Sequence, residues 1–233
     1  MPLSIASAAG KVILLTGANR GIGLATAREL QKRGAKVIAG VRNPDKMPSI
    51  PDIRVMRLDT ADAASCEAFA ASAEKEEGRI DGLINNAAIL IDQGKAALAL
   101  SDRELREVME VNLIGPIRLC RLVVPGMLKR GYGRIVNITS GLASIGDMGG
   151  GYLSYRMSKL ALNGFTRVLA AELGLGSNVK VNSISPGWTR TDMGGPGATR
   201  DPADPAREIA DLISIADNGP TGGFFYKGEP AVW

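Results

Sequence analysis

The chain has 233 residues, a formal net charge of +4, two cysteines and no histidine. That length suits a single domain, and one hydrophobic core of this size is stable without disulfide bonds or structural metals. Without histidine, Ser-His-Asp catalysis, Cys-His catalysis and imidazole-ligated zinc are all excluded, and Cys66 and Cys120 are too few for a four-thiolate site. We therefore expect no metal, and acid–base chemistry must use Asp, Glu, Lys, Tyr or Cys.

The charge distribution and the hydropathy of the chain argue against nucleic acids and membranes as binding partners. The 28 basic residues are spread along the chain rather than gathered in one patch, and aromatic residues make only 4% of it. We therefore expect no nucleic-acid surface. No apolar run has the length of a membrane span, and the N-terminal residues do not resemble a signal peptide. The sequence predicts a cytoplasmic protein with no membrane partner.

In chain order, short apolar runs alternate with longer helical stretches. The apolar runs predict strands at residues 11–16, 36–41, 53–58, 81–85, 133–139, 179–184 and 223–226. The intervening stretches predict helices at residues 21–33, 62–77, 101–111, 114–130, 152–173 and 205–215. Asp62 is a candidate N-cap, and Ser101 with Glu104 forms a capping box. The alternation predicts an α/β fold: one Rossmann-type domain over residues 1–233, with a doubly wound parallel sheet of about seven strands and helices on both faces.

Glycine is concentrated between the first strand and the first helix. The segment reads Thr16-Gly17-Ala18-Asn19-Arg20-Gly21-Ile22-Gly23. Glycines at such a turn let the backbone approach a pyrophosphate, which then lies at the helix N-terminus. A plain strand-to-helix turn also uses glycine, but the strand before and the helix after favour a dinucleotide site. The expected cofactor contacts here are Gly17, Asn19, Arg20, Gly21, Ile22 and Gly23.

The end of the second strand predicts which dinucleotide binds. A fold that selects NAD usually carries Asp or Glu there, about 20 residues past the glycines, to bind the ribose 2′-hydroxyl. This chain has Arg42 and Asn43 instead, with no carboxylate before Asp45. Arg42 suits a bidentate contact with a 2′-phosphate, and Arg20 is a candidate second cation. We therefore expect NADP(H); the competing interpretation is that Arg42 is an ordinary exposed arginine.

A tyrosine and a lysine four residues apart form a candidate acid–base pair. Tyr155 and Lys159 share one face of a predicted helix, where a nearby ammonium lowers the pKa of a phenol. Ser140 follows the fifth strand, and Asn86 follows the fourth. Each residue alone has a structural explanation, as a cap, a turn or a solvated face. Their common position at the carboxyl edge of the sheet favours a ligand site.

Together these motifs resemble the short-chain dehydrogenase/reductase family over nearly the whole chain. The matching segments are the glycine loop, Asn85-Asn86-Ala87-Ala88 with alanine in place of a final glycine, Asn112, the set Ser140, Tyr155 and Lys159, and Pro186-Gly187 followed by Thr191. Residues 155–159 and 220–225 are further similar to the NADPH-dependent carbonyl reductase branch.

The resemblance implies a role for each matching residue. NADPH would deliver hydride to a carbonyl carbon while Tyr155 protonates the oxygen, which Ser140 binds. Lys159 would hold the nicotinamide ribose and lower the pKa of Tyr155, and Asn112 would hold a water that links Lys159 to solvent. The other implied cofactor contacts are Asp59, Asn86, Ala87, Pro186, Gly187 and Thr191.

The substrate side departs from the family pattern in one place. Ser140 and Tyr155 lie slightly further apart than usual, and the extra residues fall in the glycine-rich stretch 146–151, where we expect a loop bulge. Residues 188–205 are expected to form a mobile loop over the substrate. The candidate substrate contacts are Ser140, Leu142, Met148, Tyr152 and Trp188. They are mostly apolar, which predicts a small, mostly apolar aldehyde or ketone.

Two other functions stay open at this point. An NAD-linked alcohol dehydrogenase of the same fold would be favoured by an acidic residue at position 42, and a non-enzymatic dinucleotide sensor by loss of Tyr155 or Lys159. The family often pairs subunits through the helices predicted at 114–130 and 152–173. A homodimer or homotetramer is therefore compatible with the sequence, as is a monomer.

Overall fold

The computed structural model describes residues 3–174 and 176–233, and their strands form one sheet. The strands are β1 (Val12–Thr16), β2 (Lys36–Val41), β3 (Ile53–Arg57), β4 (Gly82–Asn85), β5 (Gly133–Ile138), β6 (Val179–Ser185), β7 (Phe224–Tyr226) and β8 (Glu229–Pro230). Their order is β3-β2-β1-β4-β5-β6-β7-β8, and every pair is parallel except β7 with β8. The predicted parallel sheet of about seven strands is confirmed, with β8 added at one edge.

Helices cover both faces of this sheet. They are α1 (Gly21–Lys32), α2 (Ala63–Glu77), α3 (Asp102–Met109), α4 (Gly115–Arg130), α5 (Leu153–Leu173) and α6 (Ala203–Ile213). The Asp62 cap and the Ser101–Glu104 capping box are both present. All predicted element ends lie within two residues of the observed ends.

The core has two parts because neighbouring strand residues point to opposite faces. Leu15 and Ile84 pack on the face that α1 and α6 cover, in a cluster with Leu30 and Ile209. Leu14 and Leu83 belong to the cluster on the other face, with side chains from α2 and α4. The two clusters pack the sheet between helices, and this packing holds the loops at its carboxyl edge in place.

The helices predicted at 101–111 and 114–130 are one continuous helix, which corrects the sequence analysis. A π-helical segment, Glu110–Ile114, joins α3 to α4, so Asp102–Arg130 is unbroken. The Gly115-Pro116 pair resembles a break, but it directly follows the π-helical segment, and the chain stays helical through Pro116. Among the described residues this is the one helix with the length and apolar character of a membrane span. It packs in the core, where Leu119, Val123 and Met127 are buried.

A tight hairpin turns the end of the chain back along β7. Lys227 and Gly228 both have positive φ, at 52° and 77°, which suits a two-residue turn between antiparallel strands. The ring of Trp233 consequently stacks on Phe224 at a centroid distance of 5.4 Å. The sequence analysis did not predict β8.

Candidate active site

A cleft of about 1550 Å³ opens at the carboxyl edge of the sheet. Loops that follow β1, β2, β4, β5 and β6 line it, as expected where parallel strands end together. Nearly all the predicted site residues face this one cleft. They are Gly17, Asn19, Arg20, Gly21, Ile22, Gly23, Arg42, Asp59, Asn86, Ala87, Ser140, Leu142, Tyr152, Tyr155, Lys159, Pro186, Gly187, Trp188 and Thr191.

The glycine loop is held against the end of β4. The Asn86 side-chain amide donates to the carbonyls of Thr16 (2.8 Å) and Gly17 (3.1 Å). In return, the Thr16 hydroxyl accepts from the backbone N–H groups of Asn86 (3.0 Å) and Ala87 (2.9 Å). Gly17 has φ +68°, and a Cβ there would lie 2.9 Å from the Ala87 Cα. The loop is therefore closely packed, and α1 begins beyond it with no acidic residue in its first turn.

Two basic side chains lie just after β2: Arg42 follows the strand, and Lys46 ends the turn that comes next. Arg42 and Lys46 are exposed and line the cleft, and neither forms an ion pair with any described residue. Arg20, by contrast, pairs with Asp192 from the loop after β6. Lys46 is therefore a further cleft cation without an ion-pair partner among the described residues, and the role of Arg20 as a second cation stays a prediction. Lys46 was not among the predicted site residues, although its position just after the Asn-Pro-Asp turn was a usable signal.

Tyr155 and Ser140 meet at the centre of the cleft. Burial raises the pKa of Tyr155 to about 12, and a hydrogen bond with Ser140 opposes that rise. Ser140 lies two residues after β5 as the N-cap of a short turn, where its hydroxyl accepts from the Leu142 N–H at 3.1 Å. A hydroxyl with so high a pKa is protonated at neutral pH, so Tyr155 is available as a proton donor.

Lys159 lies one helical turn beyond Tyr155 and is 2% exposed. Its ammonium donates to the Ile138 carbonyl at 2.8 Å and lies 5.8 Å from the centroid of the Tyr155 ring. Desolvation lowers the pKa of Lys159 from 10.5 to about 7. The predicted lowering of the Tyr155 pKa by Lys159 stays a prediction.

The buried lysine makes stability depend on pH in a defined direction. Its pKa is lower in the folded chain than in the unfolded chain, so between pH 7 and 10.5 the unfolded chain binds more protons. Stability from this group should therefore rise with pH across that window, by up to about 1.4 kcal/mol per pH unit. Between pH 7 and 9, the free energy of unfolding of wild type should increase by about 2 kcal/mol more than that of Lys159→Met, as measured by urea unfolding. Lys129→Met removes an exposed lysine and keeps Lys159, so its free energy of unfolding should change with pH as that of wild type does. Equal pH dependence in all three proteins would contradict the prediction.

Asn112 lies in the π-helical segment and is fully buried, so it does not line the cleft. Its side chain accepts from the Ile89 N–H (2.8 Å) and donates to the Ile89 carbonyl (3.0 Å) and to the Ser158 hydroxyl (3.1 Å). The side chain thus connects the segment after β4 to α5. The implied role of Asn112 in holding a water stays a prediction.

The substrate side includes one correction. Met148 is exposed and does not line the cleft, although its neighbour Asp147 does. It lies in a turn in which the Met148 N–H donates to the Ile145 carbonyl. Arg156, which the sequence analysis missed, donates to the carbonyls of Gly151 (3.0 Å) and Leu142 (2.9 Å) and joins the two ends of this loop.

The loop at 188–205 carries hydrogen bonds of its own. The Arg200 N–H donates to the Trp188 carbonyl at 3.0 Å, and the Arg190 N–H donates to the Arg200 carbonyl at 2.9 Å. The Trp188 indole also donates to the Gly194 carbonyl at 2.8 Å. The mobility of this loop stays a prediction. The sequence analysis also missed the C-terminal wall of the cleft, Phe224, Tyr226 and Trp233.

Comparison with known proteins accounts for this arrangement. Residues 11–201 match the short chain dehydrogenase family. The chain belongs to the short-chain dehydrogenase/reductase family. It is 36% identical over 189 residues to the 3-oxoacyl-[acyl-carrier-protein] reductase FabG of Escherichia coli, a match that covers 79% of this chain and 75% of that protein.

Solved structures of this family have the same fold. The NADPH-bound carbonyl reductase from chicken fatty liver superposes with a TM-score of 0.87 at 28% identity, covering 97% of this chain and 100% of that one. The carbonyl reductase Sniffer of D. melanogaster gives a TM-score of 0.87 at 26% identity, with the same coverage. The chain is thus an NAD(P)-dependent oxidoreductase of the short-chain dehydrogenase/reductase family, acting on CH–OH and C=O groups.

Proposed function

We propose that this member of the short-chain dehydrogenase/reductase family is an NADPH-dependent carbonyl reductase for small, mostly apolar aldehydes and ketones. One observation carries the proposal: the buried Tyr155, with Ser140 and Lys159, lines the same cleft as the glycine loop. A cofactor site and a proton donor thus share one cavity.

The residues of the cleft fit a dinucleotide. Gly17 and Gly23 let the loop backbone pack so closely that a Cβ at either position would collide with neighbouring protein atoms. The α1 N-terminus carries no acid that would repel a pyrophosphate. Arg42 and Lys46 would hold a 2′-phosphate, which is the group that distinguishes NADPH from NADH. When bound, the reduced dinucleotide supplies a hydride. The NADPH bound to the chicken carbonyl reductase supports this choice.

Three side chains of this protein would then provide proton transfer, binding of the carbonyl oxygen and binding of the cofactor ribose. Tyr155 donates a proton to the carbonyl oxygen, and the Ser140 hydroxyl binds that oxygen and fixes its position. Lys159 binds the cofactor ribose and, when protonated, stabilises the tyrosinate that is left after proton transfer. In the reverse direction, the same tyrosinate would accept the proton of an alcohol.

The lining of the cleft favours a neutral substrate. Its cations among the described residues are Arg20, Arg42, Lys46 and Lys159, all of which are in the proposed cofactor half or at Tyr155. The opposite half presents Leu142, Tyr152, Trp188, Met193 and Trp233. Since this half offers no cation to an anionic group, we propose an aldehyde or ketone with apolar bulk as the substrate.

The cofactor assignment is tested by titrating NADPH and NADH into wild type and Arg42→Gln. Loss of a charge-assisted hydrogen bond costs about 1.5–3 kcal/mol. We therefore expect the Kd for NADPH to rise about 10- to 100-fold in Arg42→Gln, with the Kd for NADH little changed. Turnover of aldehydes, ketones and one 3-oxoacyl thioester is followed in the same proteins.

Arg57→Gln is the matched control for this experiment. Arg57 is exposed at the end of β3, the neighbouring strand, but does not line the cleft. It should leave both dissociation constants unchanged. A wild-type preference for NADH would contradict the role of Arg42, and a preference for the thioester would contradict the substrate class. Tight NADPH binding without turnover of any carbonyl would favour a dinucleotide sensor.

Two further proposals follow from family membership. Short-chain dehydrogenase/reductases often oligomerise, and the outer face of α5 exposes Met157, Gly164 and Val168, which suits pairing of subunits. A cytoplasmic location remains our proposal and is compatible with the burial of the apolar helix in the core.

A further inference from the structure

The first turn of α5 carries Tyr155 but lacks a cap from its own sequence. The residue before the helix, Tyr152, has φ +56°, and its side chain makes no capping hydrogen bond. The first N–H groups of a helix have no partner within the helix and need one from elsewhere. A capping group for α5 must therefore come from another part of the chain.

Asp92 supplies that group from the segment that follows β4. Its Oδ2 atom accepts from the Ser154 N–H at 2.7 Å and from the Ser154 hydroxyl at 2.8 Å. Asp92 is fully buried and lies 62 residues away from Ser154 along the chain. A carboxylate at this position also interacts favourably with the positive end of the helix dipole. Ser154 directly precedes Tyr155, so the contact is one residue from the proposed proton donor.

A second connection holds the other side of the same turn. The Ser158 hydroxyl donates to the Tyr155 carbonyl at 2.8 Å and accepts from the Asn112 amide at 3.1 Å. Asn112 in turn bonds both backbone groups of Ile89, which lies in the same segment as Asp92. The segment 86–92 is thus joined to α5 directly at Ser154, one residue before Tyr155, and through Asn112 at Ser158, three residues after it. Its other end, at Asn86, is joined to the glycine loop.

The burial of Asp92 is costly, which distinguishes this contact from an ordinary cap. Its Oδ1 atom has no hydrogen-bond partner among the described residues. A buried carboxylate with one unsatisfied oxygen lowers stability relative to a cap at the surface. The stabilisation of a single helix end, typically about 1 kcal/mol, does not account for it. Precise placement of the start of α5 accounts for the burial of Asp92, because displacement of a catalytic group by about 1 Å can lower a rate about 100-fold.

We propose that Asp92 is a positioning residue that holds the first turn of α5 so that the Tyr155 hydroxyl reaches the substrate carbonyl beside Ser140. The inference rests on the proposed function of Tyr155 as proton donor. It extends that function by assigning a role to a residue outside the cleft.

The test compares Asp92→Ala with Asp62→Ala, which removes a carboxylate cap of the same kind from α2. Asp62 accepts from the Ala64 N–H at 2.9 Å and does not line the cleft. In Asp92→Ala we expect kcat to fall at least 10-fold, with KM for NADPH changed less than about 3-fold. The solvent deuterium isotope effect on kcat should rise, because a displaced tyrosine makes proton transfer slower. Asp62→Ala should lower stability and leave kcat and its isotope effect within a factor of two of wild type.

Two milder substitutions, Asp92→Asn and Ser154→Ala, keep the test decisive if Asp92→Ala folds poorly. Asp92→Asn retains an oxygen that can accept from the Ser154 N–H, so it should keep kcat within about 3-fold of wild type. Ser154→Ala removes only the hydroxyl donor and should lower kcat about 3-fold. Equal kcat loss in Asp92→Ala and Asp62→Ala, or a loss confined to KM for NADPH, would overturn the proposal.

Hydrogen exchange separates this proposal from the proposed function. Backbone amides in residues 152–157 should exchange faster in Asp92→Ala than in wild type. In Asp92→Asn, which keeps an acceptor for the Ser154 N–H, they should exchange more slowly than in Asp92→Ala. Asp62→Ala should leave their exchange at the wild-type rate. Unchanged exchange at 152–157 in Asp92→Ala would overturn the positioning role whatever the activity. A wild-type protein that turns over no carbonyl would instead contradict the proposed function, and the exchange data would still decide whether Asp92 holds the helix.

Discussion

Tyr155→Phe should lose nearly all carbonyl reduction while binding NADPH as well as wild type does. General acid catalysis contributes about 100- to 10,000-fold to a rate. The other hydroxyls of the cleft belong to serines, threonines and more exposed tyrosines, and an aliphatic hydroxyl is a much weaker acid than a phenol. The substitution removes one oxygen from a ring that is 9% exposed, so packing is conserved. We expect kcat to fall at least 1,000-fold, measured as loss of NADPH absorbance with a saturating aldehyde or ketone.

Tyr226→Phe is the matched control for this prediction. Tyr226 lines the same cleft, at the end of β7, and its hydroxyl makes no hydrogen bond with any described residue. We expect it to retain kcat within about 2-fold. If Tyr155→Phe retained substantial activity, a different proton donor would be required, and Ser140 would be the first to examine by substitution.

The fold was predictable because its signals are local. Strands such as β1 and, after Lys36, β2 are apolar without alternation, as strands covered on both faces are. The helix starts at Asp62 and Ser101 carry their own capping residues. The residues that line the cleft were predictable for a related reason. They follow the carboxyl ends of parallel strands, which meet at one edge wherever the strands lie in the sequence.

The features that the sequence did not predict depend on contacts between distant segments. Nothing near Asp92 in the sequence indicates that its carboxylate caps a helix that begins 61 residues later, at Leu153. Trp233 reaches the cleft only because the hairpin before it reverses the chain. Met148 does not line the cleft, and it lies in a turn that the composition of the segment does not reveal. In each case a hydrogen bond or turn, rather than a periodic pattern, decides where the side chain lies.

Gly23→Ala should nearly abolish cofactor binding, although the change adds a single methyl group. Gly23 lies in the first turn of α1, where a Cβ would overlap the Gly17 carbonyl oxygen and lie 2.6 Å from the Asn86 amide nitrogen. Neither neighbour can withdraw, because Asn86 holds the glycine loop through the Thr16 and Gly17 carbonyls. Overpacking of this kind costs about 1–3 kcal/mol. We expect the Kd for NADPH to rise more than 100-fold, and Tm to fall by roughly 5–10 °C in thermal unfolding followed by circular dichroism.

Gly164→Ala separates the effect of space from the effect of glycine itself. Gly164 is also helical, in α5, but a Cβ there meets nothing within 4 Å. Alanine favours a helix over glycine by about 1 kcal/mol, so this variant should raise Tm by roughly 2–4 °C and leave NADPH binding unchanged. The two substitutions are chemically identical, so opposite shifts in Tm would show that the glycine loop needs Gly23 for the close approach of its backbone. A stable Gly23→Ala protein with wild-type NADPH affinity would mean that the loop can open to admit the methyl group, and that its tight packing does not determine cofactor binding.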